Sequence, residues 1–231
     1  MHSELPLPAA AIFDMDGVLV DSNPHHIRKW AALLTAHHIP FDPDELGRIV
    51  LGPPNALTLR RFFGDALSDE QIKQLDEEFE EKFREVFRPH AKPVPGLVRL
   101  LTELQQAGIP MAVASAAMRK NVEFFIEVLG LRPYFRCLVS LEEVTHSKPD
   151  PEVYLKATAK LGAEAAHCVA FEDSFVGVEA VKRAGMKCVA IASTFPAAEL
   201  RQKTCADLIV PNFEGIDLET LRRLFSTDLS K

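Results

Sequence analysis

Cysteine is scarce in this sequence, and the cysteines show none of the spacings that are typical of metal sites or of CxxC pairs. The 231 residues contain no CxxC pair, and no histidines stand at zinc-site spacing around the four cysteines, which lie far apart: Cys137, Cys168, Cys188 and Cys205. This excludes a small domain held together by disulfides and a cysteine–histidine zinc site. We interpret the cysteines as buried thiols of a reducing compartment, which predicts a cytoplasmic protein.

Long apolar runs and an excess of basic residues are missing as well. No apolar run is long enough to span a bilayer, and the first residues lack the basic start and long apolar stretch of a signal peptide. The formal net charge of −7 argues against nucleic acid or an anionic membrane surface as the main partner. A local cationic pocket for a small anionic ligand is compatible with this charge.

The sequence does contain a regular alternation of short apolar runs and helical segments. Runs of strand length occupy residues 9–13, 109–115, 136–140, 167–173 and 187–192, with a shorter one at 206–210. Between them, apolar residues recur at helical spacing, as at Leu97, Leu100, Leu101 and Leu104. This alternation predicts an α/β fold with a doubly wound, Rossmann-like parallel sheet and helices on both faces.

Residues 22–91 interrupt the alternation, because they contain no convincing strand. Two helical stripes stand out, one around Trp30 and Leu34 and one around Ile72 and Phe83. We predict an all-helical cap domain at 22–91, inserted after the first strand, and a catalytic core formed by 1–21 and 92–231. Within the cap, the charged segment DEEFEEKFRE is interpreted as a solvated helix face with i,i+4 charge pairs.

Polar side chains follow four of the predicted strands, at the edge of a parallel sheet where ligands bind. In chain order they are Asp14 and Asp16, then Ser115, then Lys148 in the loop after the third strand, then Glu172 and Asp173. A cluster of carboxylates suits a hard divalent cation, Mg²⁺ in particular. A lysine and a hydroxyl suit the oxygens of a phosphoryl group.

These segments, in this order, resemble the four motifs of the haloacid dehalogenase-like hydrolase superfamily. They read DMDGVLVDS, VAS, SKPDPE and FEDSFVG, and together they extend over most of the chain. The helical insertion resembles the cap of the subfamily that contains β-phosphoglucomutase and small sugar-phosphate phosphatases. The resemblance implies a Mg²⁺-dependent enzyme acting on a small phosphate ester such as a sugar phosphate.

The resemblance also implies a role for each carboxylate. Asp14 would be the nucleophile that forms an aspartyl-phosphate, and Asp16 the general acid and then the general base. Asp14, the backbone carbonyl of Asp16 and the Asp173 carboxylate would hold Mg²⁺. Glu172 would support the site without binding the metal directly.

Three further residues would bind substrate. Ser115 would hydrogen-bond a phosphoryl oxygen, and Lys148 would pair with the phosphoryl group and keep Asp14 ionised. His26 precedes Trp30 by four residues, a spacing found in β-phosphoglucomutase-like proteins, so His26 is expected to face the crevice.

The sequence favours a phosphatase, with a β-phosphoglucomutase-type phosphosugar mutase as the alternative. A mutase must hold a second phosphate, and Asn55 stands where the mutase has a cap arginine. Met118 likewise replaces a lysine of the second motif. Three other cations could compensate: Arg60, Arg61 and Arg119.

Other classes fit less well. A dehalogenase or a phosphonate-cleaving relative would not need Asp16. A signalling receiver module combines carboxylates, a hydroxyl and a lysine on a parallel sheet, but its lysine comes last, whereas Lys148 precedes Asp173. The oligomeric state, the pathway and the physiological substrate do not follow from the sequence.

Overall fold

A computed structural model describes residues 6–226 and contains a six-stranded sheet in which every neighbouring pair of strands is parallel. The strands are β1 (Ala10–Phe13), β2 (Met111–Ala114), β3 (Cys137–Val139), β4 (Cys168–Glu172), β5 (Lys187–Ile191) and β6 (Leu208–Val210). Their order, β3-β2-β1-β4-β5-β6, places the point where the winding reverses between β1 and β4. The predicted doubly wound parallel sheet is confirmed.

Helices cover both faces of the sheet. They are α1 (Asn23–Ala36), α2 (Pro43–Val50), α3 (Asn55–Phe63), α4 (Asp69–Phe87), α5 (Leu97–Gln106), α6 (Arg119–Val128), α7 (Glu152–Leu161), α8 (Phe175–Arg183), α9 (Ala197–Lys203) and α10 (Leu218–Ser226). Alternate residues of β1 enter opposite cores, since Ala11 and Phe13 pack with α5 and α6, while Ala10 and Ile12 pack with α7 and α8. Burial on both faces explains why the strands read as continuous apolar runs.

Helices α1 to α4 follow β1 and precede β2, as predicted for the insertion. They share an apolar cluster of their own, formed by Trp30, Leu34, Leu46, Val50, Leu59 and Ile72. The last turns of α4 differ, because Phe83 and Phe87 belong to the apolar core that also contains residues of α5 and α6. The division into a cap at 22–91 and a core at 1–21 and 92–231 stays a prediction.

Two local features lie in the segments that resemble the first and third motifs. The N-cap residue of α7 is Pro151, and the carboxylate of the preceding Asp150 accepts the N–H of Glu152 at 2.9 Å. Gly17 adopts a φ of 74° after β1, and a Cβ at this position would lie 1.9 Å from Asp173 Oδ2. Only glycine therefore lets the first motif approach the fourth so closely. No helix described between residues 6 and 226 is long and apolar enough to cross a membrane.

Candidate active site

The predicted site residues line one cavity at the carboxyl ends of the strands. Asp14 and Asp16 follow β1, Ser115 follows β2, and Asp173 follows β4, whereas Lys148 reaches in from the loop before α7. Because β1 lies between β2 and β4, three strand ends meet at this point. Helices α2, α3 and α4 supply the opposite wall.

Lys148 is buried between two carboxylates. Its Nζ donates to Asp14 Oδ1 and to Glu172 Oε1, both at 2.7 Å, and lies 3.4 Å from the carbonyl oxygen of Ala114. Burial alone would lower the pKa of Lys148, but the negative charges of Asp14 and Glu172 outweigh it and raise the pKa above its ordinary value. Lys148 is therefore a permanent cation beside Asp14.

Glu172 has no free lone pair to offer a metal. One carboxylate oxygen accepts from Lys148 and from the Tyr154 hydroxyl at 2.7 Å each, and the other accepts the N–H groups of Asp173 and Ser174 and the Ser174 hydroxyl. Burial raises the pKa of Glu172, but Lys148 and the other donors lower it by more. The net shift is downward, so the group is ionised. This arrangement suits the supporting role expected of Glu172.

Asp173 faces the cavity beside Asp14. The Asn23 amide donates to Asp173 Oδ2 at 2.9 Å, and the Thr194 hydroxyl donates to the same oxygen. Burial, followed by the charges of Glu172 and Asp14, raises the pKa of Asp173 well above its ordinary value.

Asp14 and Asp173 are the side chains left to hold a divalent cation. Their carboxylate oxygens and those of Glu172 all lie within 4.8 Å of one another, and a single lysine stands among these three acids. Burial, followed by the charges of Glu172 and Asp16, raises the pKa of Asp14 from 3.8 to about 7, because Lys148 offsets only part of these effects. A hard dication with oxygen ligands would supply the missing positive charge.

Asp16 stands at the mouth of the site, next to His26. Its Oδ1 accepts from the Ser22 hydroxyl and lies 3.2 Å from His26 Nε2, while the His26 ring stacks on Phe83 with centroids 4.1 Å apart. Burial raises the pKa of Asp16, but the contacts with His26 and Ser22 lower it more, so the net shift is downward. His26 thus lines the cavity, as the sequence predicts.

Ser115 is held with its hydroxyl at the cavity. Its backbone N–H continues the pairing of β2 with β3 by donating to the Val139 carbonyl at 3.0 Å. Its Oγ accepts the N–H of Ala117 at 3.0 Å, which orients the hydroxyl and leaves the proton to donate to a ligand.

Sequence reasoning missed several polar residues of the site. Asn23, Thr194 and Tyr154 support Asp173 and Glu172, but each is an isolated polar residue in a helix or loop, and no spacing identifies it. One interpretation was wrong: Glu80, in the segment taken for a solvated helix face, is 2% exposed and pairs with Lys29 of α1. The partner is 51 residues away, so i,i+4 spacing could not reveal it.

Comparison with known proteins agrees with the family that the four sequence motifs resemble. The model of the haloacid dehalogenase-like hydrolase family matches residues 11–191. The validoxylamine A 7'-phosphate phosphatase of Streptomyces hygroscopicus subsp. limoneus is 31% identical over 206 residues, covering 89% of this chain and 94% of its own. The β-phosphoglucomutase of Bacillus subtilis is 30% identical over 222 residues, covering 92% of this chain and 93% of its own.

Among solved structures, a haloacid dehalogenase-type hydrolase of family IA from Entamoeba histolytica superposes with a TM-score of 0.85. It is 28% identical, and the alignment covers 94% of this chain and 98% of the other. The family match extends from β1 to β5 and includes all four motifs. The chain belongs to the haloacid dehalogenase-like hydrolases.

Proposed function

We propose that the protein is a Mg²⁺-dependent phosphatase that hydrolyses a small phosphomonoester, such as a sugar phosphate, through an aspartyl-phosphate on Asp14. The observation that supports this most is the pairing of Asp14 with buried Lys148, 2.7 Å away, in the cavity that also contains Ser115 and Asp173. Lys148 and Ser115 would bind the phosphoryl oxygens and place phosphorus next to Asp14. Named phosphatases among the relatives agree with this reaction class.

The chemistry follows from the positions of the two aspartates. Asp14 attacks phosphorus, a bond forms between its carboxylate oxygen and phosphorus, and the ester oxygen leaves with a proton from Asp16. Asp16 then removes a proton from the water that attacks the aspartyl-phosphate, which releases inorganic phosphate and restores Asp14. Asp14, the backbone carbonyl of Asp16 and Asp173 would hold Mg²⁺, which when bound neutralises charge on the phosphoryl group.

Asp16 must gain its proton when substrate arrives. In the structure its pKa is lowered, so the substrate-free group is a carboxylate. A bound phosphate dianion would repel that carboxylate and raise its pKa, which favours proton uptake at the right moment. His26 Nε2 lies 3.2 Å from Asp16 Oδ1, within hydrogen-bond distance of the carboxylate.

The charge of the cavity supports a phosphatase over a mutase. Of the lining side chains described within 6–226, Lys148 is the single lysine or arginine. Asn55 lines the cavity at the position where the mutase has a cap arginine. Arg60 is bound to Asp69 and to backbone carbonyls, and Arg119 is bound to Glu143. Arg61 lines an adjoining cleft, which shares Lys148 and Ser174 with the cavity. Within the cavity itself, a second phosphate of a bisphosphate intermediate would therefore find no further lysine or arginine among the described lining residues.

The proposal is tested by measuring inorganic phosphate release from a panel of sugar phosphates with and without Mg²⁺. We expect Mg²⁺-dependent turnover that Asp14→Asn reduces by several powers of ten, because the nucleophile is lost. Asp65→Asn, which changes an exposed carboxylate of the cap region, is the matched control and should retain full activity. Normal turnover in Asp14→Asn would show that the nucleophile is a different residue.

The remaining expectations belong to the same proposal. A small phosphate ester is the proposed partner, with no role for nucleic acid or a membrane surface. A cytoplasmic location agrees with the four cysteines, which are all free thiols. The prediction that they are buried is correct for Cys168 and Cys188 but wrong for Cys205, which is exposed, while Cys137 is half-buried.

A further inference from the structure

The wall of the cavity that faces the catalytic aspartates is built from acidic and amide side chains. We call it the distal wall and define it as Asn55 of α3, Asp76 and Glu80 of α4, and Asn121 of α6. All four line the same cavity as Asp14 and Asp16. A leaving group that extends across the cavity from the phosphoryl site would contact this wall.

Glu80 is already compensated and holds the wall together. Its carboxylate pairs with Lys29, accepts from the Asn55 amide, and accepts from the Asn121 amide at 2.6 Å. Lys29 is itself held over the Phe79 ring, 4.0 Å from its centroid. The Lys29–Glu80 pair is thus neutral as a unit, and its lysine is not available to a ligand.

Asp76 differs from Glu80 because, among the described residues, no cation contacts its carboxylate, and Lys29 acts on it only at longer range. Within the part of the chain that the structure describes, its side chain receives one hydrogen bond, from Asn55 Nδ2 to Oδ1 at 2.9 Å, and forms no ion pair. Asp76 is half-buried, and this burial raises the pKa of its carboxyl group. The wall therefore presents a carboxylate that forms no ion pair and is partly removed from solvent.

The Asn55 amide keeps an acceptor atom for a ligand, whereas the Asn121 amide does not. Asn55 and Asn121 use their N–H groups on the carboxylates, and the Asn121 carbonyl oxygen accepts from Arg84. The atoms left for a ligand are the Asn55 carbonyl oxygen and the oxygens of Asp76. Hydrogen-bond acceptors in a negative wall suit a ligand that brings donors.

Resting on the proposed function, we propose that the distal wall, through Asp76, selects a leaving alcohol that presents hydroxyl groups or a protonated amine and rejects one with a second anionic group. A hydroxyl or an ammonium donates to Asp76 and Asn55. A carboxylate or a second phosphate is repelled by Asp76 and finds no free cation among the described lining residues. Asp76 is then a specificity-determining residue, and the order of preference is cationic, neutral, anionic.

The test uses three phosphate esters of similar size with different charge: glucosamine 6-phosphate, glucose 6-phosphate and 6-phosphogluconate. Both kcat/KM and the inhibition constant against p-nitrophenyl phosphate hydrolysis are measured, so that a slow substrate still reports its binding. We expect the amine to equal or exceed the neutral sugar, and the carboxylate to be weaker by about tenfold or more. Equal or tighter binding of 6-phosphogluconate would overturn the inference.

A pair of variants connects the preference to Asp76. Asp76→Asn keeps the shape and the acceptor for Asn55 but removes the charge, so the ratio of anionic to neutral substrate should rise by about tenfold, mainly through KM. Asp65→Asn removes an exposed charge elsewhere in the cap region and should leave the ratio unchanged. An unchanged ratio in Asp76→Asn would overturn the role of Asp76.

The two proposals fail in distinguishable ways. If no ester, including p-nitrophenyl phosphate, releases phosphate in the presence of Mg²⁺, the proposed function is wrong and the inference is overturned with it. If phosphate is released but the charge of the leaving group makes no difference, the inference alone is wrong.

Discussion

Lys148 is the side chain that offsets part of the negative charge of the active-site carboxylates. It is 7% exposed and contacts Asp14 and Glu172 at the same distance of 2.7 Å. Removing one partner of a buried ion pair leaves the other charge uncompensated, which is more costly than replacing both partners. Stability and activity should therefore both depend on this residue.

We expect Lys148→Met to lower the free energy of unfolding by about 3–5 kcal/mol without Mg²⁺, and to reduce kcat by several powers of ten. Mg²⁺ should recover part of the stability, because it neutralises Asp14 and Asp173, but should not recover the activity. Thermal unfolding with and without Mg²⁺ measures the first effect. Lys120→Met, at an exposed lysine of α6, is the control. Full activity in Lys148→Met would contradict its assigned role.

The residues that act in the site were easier to predict than the residues that support them. Asp14, Ser115 and Asp173 follow strands, and a parallel sheet brings its strand ends together whatever the loops do. Thr194 and Tyr154 contact the site from elements far away in sequence, through hydrogen bonds that depend on tertiary packing. A single sequence contains no pattern for such contacts.

Helix α8 depends on a glycine because its first turn packs against Glu172. A Cβ at Gly177 would lie 1.9 Å from the carboxylate of Glu172, so a side chain here must displace that group. Gly47 in α2 is also helical, but a Cβ there would meet only the flexible Ile27 Cδ1 at 3.1 Å. The two glycines form a matched pair that separates helix propensity from packing.

Gly177→Ala should destabilise the protein by about 3 kcal/mol or more and reduce activity, because Glu172 would move away from Lys148. Gly47→Ala should be neutral or stabilise α2 by up to about 1 kcal/mol, since alanine is the better helix former. Denaturant unfolding of both variants measures the difference. Equal stability of the two variants would show that the Glu172 contact is unimportant.

Helix α4 shows where pattern reading of an element fails. The start of α4 can be recognised from the sequence, because Ser68 and Gln71 have the spacing of a capping box, and the structure contains this capping box. The burial of the face on which Glu80 lies cannot be predicted from the sequence, since charged residues are placed on every side of the segment. The burial of Glu80 follows from Lys29 and Asn121, which lie on other helices.

For the whole molecule, the sheet was predictable and the attachment of the helical insertion was not. Strands buried on both faces produce runs of apolar residues, and helices between them give the alternation that identifies a doubly wound fold. The insertion forms its own apolar cluster around Trp30 and Leu34, as its helical stripes predict. Phe83 and Phe87 pack in the core with residues of α5 and α6 and not in this cluster. This packing depends on the contact between α4 and α6, which the spacing of residues within α4 does not encode.

The central claim is that phosphoryl transfer to Asp14 precedes hydrolysis, and trapping the enzyme during turnover tests it most directly. Enzyme mixed with Mg²⁺ and a good substrate is quenched in acid, reduced with borohydride and mapped by mass spectrometry. The account predicts an acyl phosphate on the peptide that contains Asp14, converted by borohydride to homoserine at that position. Steady turnover with no modification of Asp14, or with the phosphoryl group on another residue, would contradict the account.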